Sequence, residues 1–279
     1  MIARSLYKFR RRLLDRFVLE PSRHQLDYGL QRREMLTVLG RPLEAFVQSN
    51  CVQSGNERVN SEGADDDVEL LVLKFPGTAG RAERSTEFPL ALLPDVRVAM
   101  WTWNPPGYGG SSGRATMDAI TQAAVAFGEQ VIERVANRTT RIWLCANSLG
   151  CATALHVASQ LNTSHRYGMI CRNPPPLIPV FKRIADRYPL GRWAHSIAEC
   201  LPDEMNAPLS ARHVAWPSVF LVSELDTLVP PELQQQIIDA YAGPTQVVCL
   251  AGLSHGGAPT DDHAPQIQQA IDWLWQQMS

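Results

Sequence analysis

Apolar residues fall in short unbroken runs along this chain: Val68 to Phe75, Val96 to Trp103, Arg141 to Cys145, Tyr167 to Cys171, Ser218 to Ser223 and Gln246 to Ala251. Residues that are apolar one after another, rather than alternating with polar ones, predict strands covered on both faces. Most intervals between the runs can hold a helix. Ile120, Ala124, Phe127, Val131 and Val135 trace one helical stripe, and Ile267, Ile271 and Leu274 another near the C-terminus. Strand and helix therefore alternate, and the expected architecture is α/β: a doubly wound, mostly parallel sheet with helices on both faces. An earlier strand is expected over Glu44 to Gln53. Residues 54–67 read as a polar, acidic turn leading into the next.

The first twenty residues have a different pattern. Ile2, Leu6, Phe9, Leu13 and Phe17 recur at helical spacing, with Lys8, Arg11, Arg12 and Arg16 on other faces, which predicts a basic amphipathic helix. Two arrangements suit it. Its apolar stripe can lie on an anionic membrane, as a peripheral contact at the inner face. Alternatively the stripe packs on the domain and the arginines are simply solvated. The expected division is a helical segment over 1–43 and one large domain over 44–279.

Composition narrows the class. With 279 residues, 45% hydrophobic and 19% charged, the chain is long and apolar enough to bury a large core, which excludes a disordered tail, a collagen or a coiled coil. The net charge of −2 hides an asymmetry: residues 1–41 carry 10 basic and 4 acidic side chains, leaving 16 basic and 24 acidic in the rest. An acidic body argues against nucleic acid as partner, since phosphate binding needs clustered cations. The six cysteines are scattered and form no CxxC pair, so neither a zinc site nor a disulfide framework is indicated. No apolar stretch approaches the ~20 residues that cross a bilayer. Arginines 10 to 12 interrupt any signal-like run, so a reducing, cytoplasmic location is expected.

In an open α/β sheet the working residues collect just beyond the strand C-termini. The run ending at Cys145 is followed by Ala146-Asn147-Ser148-Leu149-Gly150 and then by the helix-forming segment 152–160. A strand, a tight turn and a helix with serine at the apex is a nucleophile elbow. Serine is a weak nucleophile unless a base takes its proton, and that base needs an acid to orient it. Asp226 follows the Ser218 to Ser223 run, and His255 lies in a glycine-flanked loop past the last one. Ser148, Asp226 and His255 thus stand in the chain order this geometry requires. Glu224 competes as the acid and His263 as the base. His24, His156, His165, His195 and His213 lie elsewhere, on expected helices or surface segments. Opposite the elbow, Pro76-Gly77-Thr78-Ala79-Gly80 can present the Thr78 amide as the second oxyanion donor beside that of Leu149.

These residues together resemble the α/β-hydrolase family, and more narrowly its compact branch of ABHD-type and dienelactone-hydrolase-like acyl hydrolases. FPGTAG resembles the branch's H-G-x-x-G oxyanion loop, NPPGYGGSSG its R-G-Y-G-x-S-x-G loop, ANSLG its elbow, ELDTLVP its acid loop and GLSHGG its histidine loop. Pro76, Pro106 and Ala146 depart from those patterns. The resemblance implies an α/β-hydrolase catalytic domain over 44–279 with a short helical lid insertion at about 173–215. It also implies ester or thioester hydrolysis through Ser148, Asp226 and His255 on a small or lipid-like acyl substrate, with no cofactor and no metal. Aminopeptidase or perhydrolase chemistry on the same fold, and a non-catalytic binding protein, are the alternatives. Tyr108, Phe181, Trp193 and Leu228 are the candidate lining of an acyl pocket.

Overall fold

A computed structural model describes residues 2–50, 68–162, 164–189 and 191–278. The polar turn expected at 54–67, and Cys51, lie outside them. The strands are β1 (Arg32–Val38), β2 (Arg41–Ser49), β3 (Leu70–Phe75), β4 (Val98–Trp103), β5 (Arg141–Asn147), β6 (Arg166–Arg172), β7 (Ser218–Ser223) and β8 (Thr245–Leu250). They form one sheet in the order β1-β2-β4-β3-β5-β6-β7-β8, parallel from β4 onward, with β2 antiparallel to both β1 and β4. The six apolar runs correspond to β3 through β8.

Alternation within each strand explains why those runs are unbroken. Leu71, Leu73, Ile142, Leu144 and Phe220 join the core on one face, while Leu70, Val72, Trp143, Val219 and Leu221 join that on the other. The first face is covered by α2 (Met117–Val135), α3 (Leu149–Gln160) and α7 (Pro231–Ala240), with Phe127 stacked on Trp103 at 5.4 Å. The second is covered by α8 (Ala264–Gln276) through Ile267, Ile271 and Leu274. Between β6 and β7 the chain forms α4 (Leu177–Ala185), α5 (His195–Ala198) and α6 (Ala207–Ala211). Ala207 and Ala211 enter the main core, so the end of this insertion is domain wall rather than lid.

Two expectations need correction at the N-terminal side. The strand expected over 44–53 begins at Arg41, and β1 was not foreseen at all. Its sequence RREMLTV mixes charged and apolar residues because it is an edge strand exposed along much of its length, a pattern unlike the buried runs. Leu39 and Gly40, both at positive φ (50° and 73°), make the tight turn joining β1 to β2, a conformation that Leu does not advertise. The boundary expected at 43/44 falls inside β2, so the sheet extends N-terminally of it.

The first helix, α1 (Ile2–Val18), also belongs to the packed body. Leu14 and Leu19 are buried in the core, Arg11 pairs with Asp118 at 2.8 Å, and Asp15 Oδ1 accepts the Met117 amide at the start of α2. A carboxylate there satisfies a helix N–H that has no partner inside its own helix. Among the described residues no helix is long and apolar enough to cross a membrane.

Glu44 on β2 ties the hairpin to the loop after β4. Its carboxylate accepts from Arg33, from the Asn104 amide at 2.7 Å and from the Gly110 amide at 2.6 Å. Burial alone would raise its pKa, but the Gly110, Asn104 and Arg33 bonds outweigh that and hold it below 4.5. A carboxyl depressed on folding contributes stability above its unfolded pKa, and that contribution is lost as pH falls through the folded value. Glu44→Gln is therefore expected to cost about 1–3 kcal/mol near neutral pH by leaving buried donors poorly matched. The gap from wild type should narrow below pH 4.5. Urea titrations across that range check it; a gap independent of pH would count against the ionised network.

Candidate active site

Four loops converge at the C-terminal edge of the parallel strands. The first leaves β5 at Asn147 and turns so sharply into α3 that Ser148 takes φ 51°, ψ −125°. Such a conformation costs a non-glycine residue of order 1–3 kcal/mol and persists only where the surroundings impose it. They do so here. The Ser148 amide donates to the Arg172 carbonyl at 2.8 Å, and Gly150 lies so close to β3 that a Cβ there would meet the Phe75 carbonyl oxygen at 2.1 Å. Ala146, where the pattern has glycine, fits its one methyl into the core between Phe75 and Cys171, its neighbours in the sheet. The turn lifts Ser148 into a half-buried position with its hydroxyl toward the histidine loop.

His255 Nε2 lies 2.9 Å from Ser148 Oγ, and His255 Nδ1 lies 2.7 Å from Asp226 Oδ2. The imidazole is partly open while the Asp226 carboxylate is fully enclosed. Asp226 Oδ1 accepts the Leu228 and Val229 amides at 3.0 and 2.8 Å, and Oδ2 also accepts from Gln234 at 3.3 Å. Every face of the carboxylate is thus committed, and the side chain cannot swing away from the ring.

The competing acid and base lie elsewhere. Glu224 is exposed and accepts the Gly252 amide at 2.7 Å. His263 is buried, with Nδ1 against Thr260 and Nε2 against the Ala251 carbonyl, in a box that opens α8.

Facing the elbow, Gly77 packs so that a Cβ would sit 3.4 Å from Ser148 Cβ, which brings the loop 76–80 alongside Ser148. The Thr78 amide has no acceptor among the described residues. Leu149 opens α3, so its amide lacks an intrahelical partner. Two N–H groups near Ser148 are thereby left for a ligand oxygen. Tyr108 lines the crevice behind this loop. It is buried, and its hydroxyl donates to the Thr78 carbonyl at 2.8 Å, supporting the loop from behind. Burial pushes that phenol up to about 12, so it stays a donor.

The other expected pocket residues are Phe181, Trp193 and Leu228. Trp193 is 82% exposed, Leu228 is exposed beside the acid, and Phe181 meets Phe17 of α1 at 6.0 Å between ring centroids. A crevice behind the 76–80 loop is lined by Leu19, Phe75, Gly77, Tyr108 and Leu149. Leu19 reaches it from the end of α1.

Three supporting residues had escaped notice. Asn173, at φ 49° and fully buried, donates to the His255 carbonyl at 3.0 Å and accepts the Ser223 amide at 2.9 Å, clamping the histidine loop to the end of β7. Gln234 sits on α7, where its 2.7 Å bond to the Val229 carbonyl aims it at Asp226. Arg172 donates to the Gly257 carbonyl. Asn173, polar and placed at the end of an apolar strand, was the one sequence signal for this group.

Solved structures superpose on most of the chain. An esterase from Pyrococcus furiosus superposes with TM-score 0.64 at 12% identity, over 94% of this chain and 97% of its own. The chain has the α/β-hydrolase fold. Acetyl xylan esterase 1 from Thermoanaerobacterium sp. superposes over 96% of this chain and 93% of its own, with TM-score 0.61 and 11% identity. A puromycin-hydrolyzing peptidase from Mycobacterium tuberculosis covers 91% of the chain with 40% of its own length, at TM-score 0.65 and 17% identity. No family model matches the chain. In the α/β-hydrolase fold the loops after β3, β5, β7 and β8 meet at one edge of the sheet, and here they carry Thr78, Ser148, Asp226 and His255.

Proposed function

We propose that this protein is a serine hydrolase of carboxylic esters, or by the same chemistry of thioesters, working without a cofactor. The observation that carries the reading is the continuous chain of hydrogen bonds from Ser148 through His255 to the enclosed Asp226, with Ser148 held in a strained turn at the sheet edge. Ser148 Oγ attacks the acyl carbon and its proton passes to His255 Nε2. The Thr78 and Leu149 amides hold the oxyanion of the tetrahedral intermediate. Collapse breaks the bond to the alcohol or thiol, which leaves with the proton from His255. Water then gives a proton to His255, attacks the acyl-enzyme and releases the acid, returning Ser148 to its start. The sharing of this fold with esterases supports the choice of substrate, and its sharing with a peptidase is why amides belong in the test.

The test is a panel of activated esters graded in acyl length, one thioester and one aminoacyl amide, together with a fluorophosphonate probe. Ester turnover and a covalent adduct on the peptide containing Ser148 are expected. A folded protein that neither turns over the panel nor takes the label at Ser148 would overturn the reading in favour of a non-catalytic binding protein.

A further inference from the structure

The helix α1 sits on the domain the opposite way round from a helix that merely completes a core. At about 100° per residue, Leu6, Phe9, Leu13 and Phe17 share one narrow face, and Arg11, Asp15 and Val18 lie nearly opposite, with Leu14 at the edge of that second face. The second face is the packed one. It takes up Leu14 at 1% exposure and holds the Arg11 and Asp15 contacts to α2. The stripe that the sequence makes most apolar points largely outward, with Leu6 46%, Phe9 59% and Phe17 63% exposed and Leu13 half-buried. Burying a helix through an arginine and an aspartate while exposing two phenylalanines is the reverse of the ordinary arrangement, and a contiguous exposed apolar face of this kind marks an interaction surface.

The surroundings of the stripe say what covers it. Arg12 and Arg16 are exposed beside it, Lys8 is exposed further round the helix, and none of the three makes an ion pair among the described residues. The one acidic residue of α1, Asp15, is buried. Phe17 meets Phe181 of α4, and the segment following α4 exposes the aromatic side chains of Tyr188 and Trp193. Phenylalanine and leucine flanked by arginine and lysine, with tyrosine and tryptophan nearby, is the composition that settles at the boundary between lipid headgroups and acyl chains. A second copy of the chain is the poorer occupant, because a symmetric pairing of this face would set Arg12 and Arg16 against like charges.

We propose that the outward face of α1 is a docking surface for an anionic lipid bilayer, with Leu6, Phe9 and Phe17 entering the acyl region and Arg12 and Arg16 meeting the headgroups. Leu19, the residue after the helix, lines the same crevice as Gly77 and Leu149, so the end of α1 lies near the candidate active site. The two readings fail separately, since bilayer binding does not depend on Ser148 chemistry.

Flotation of the full chain with vesicles tests it. Binding is expected to phosphatidylcholine vesicles containing phosphatidylglycerol, and at least tenfold weaker to phosphatidylcholine alone. Each exposed cation is worth about fivefold near an anionic surface, so the double variant Arg12→Glu/Arg16→Glu should lose more than about tenfold. The variant Leu6→Ser/Phe9→Ser changes solvent-facing positions, and should also lose about tenfold while keeping its circular dichroism and its turnover of a short soluble ester. Three results would overturn the proposal: no binding to the anionic vesicles, binding unaltered in either double variant, or a wild-type dimer in sedimentation velocity that Leu6→Ser/Phe9→Ser converts to monomer.

Discussion

Ser148→Ala is expected to lower kcat on the best ester by about 10⁶-fold, with KM changed little and fluorophosphonate labelling abolished. The argument is geometric. The hydroxyl is the single group at the apex of the elbow within hydrogen-bonding distance of His255 Nε2, and removing it leaves the base with no proton to take. The backbone of the elbow should survive, because its strain is imposed by contacts the side chain does not make: the Ser148 amide on Arg172 and the apposition of Gly150 to Phe75. The variant should even gain slightly in thermal stability if alanine accepts the turn as well as serine does. What remains of the rate, about 10³-fold over water, would report the Thr78 and Leu149 amides. Activity within tenfold of wild type would remove Ser148 from the mechanism.

Asp226→Asn should lower kcat by about 10⁴-fold, again at nearly constant KM. The direction follows from how the carboxylate is pinned. Oδ1 faces two amide donors, from Leu228 and Val229, so asparagine must keep its oxygen there. Its NH₂ then occupies the Oδ2 position, opposite His255 Nδ1 and the Gln234 amide. A donor facing Nδ1 drives the ring proton to Nε2, and the nitrogen that should accept from Ser148 becomes a donor. Glu224→Gln is the control: an exposed carboxylate bonded to Gly252 should tolerate the change with less than about twofold effect on kcat, as surface substitutions usually do. If Glu224→Gln proved the more damaging, the acid would have to be reassigned.

The esterase reading, the labelling of Ser148 and these two substitutions concern one hydrogen-bonded chain and stand or fall together. Bilayer docking through α1 concerns another surface of the molecule. Its outcome bears on where an acyl substrate is met rather than on how it is cleaved.

Much of the site was legible before the fold was. Ser148, Asp226 and His255 each follow an apolar run, and in a parallel sheet the end of a run is the edge where loops gather. That is why three residues far apart in the chain could be grouped without a structure. Legibility failed where burial and local pattern part company. β1 is half exposed and charged, so nothing in RREMLTV marks it as a strand. Tyr108 was expected in a pocket; it lines the crevice behind the 76–80 loop, and its bond to the Thr78 carbonyl from beneath was not legible. Asn173, Gln234 and Arg172 act through single hydrogen bonds whose partners lie in other loops, and no spacing rule encodes such meetings.

The N-terminal helix shows the division most sharply. Its period of apolar residues determined that residues 2–18 would be helical and two-faced, because periodicity depends only on neighbours three and four positions away. Which face would turn inward depended on what the domain offered there. The start of α2 presents an unpaired amide at Met117 and a carboxylate at Asp118, and Asp15 and Arg11 match them, so the polar side of the helix went in and the phenylalanines were left out. The alternation of strand and helix, and the chain order of Ser148, Asp226 and His255 at the ends of apolar runs, were thus determined by sequence. The strain at Ser148, the props behind it and the outward face of α1 were decided by tertiary contacts, where partners distant in the chain compete for the same few donors and acceptors.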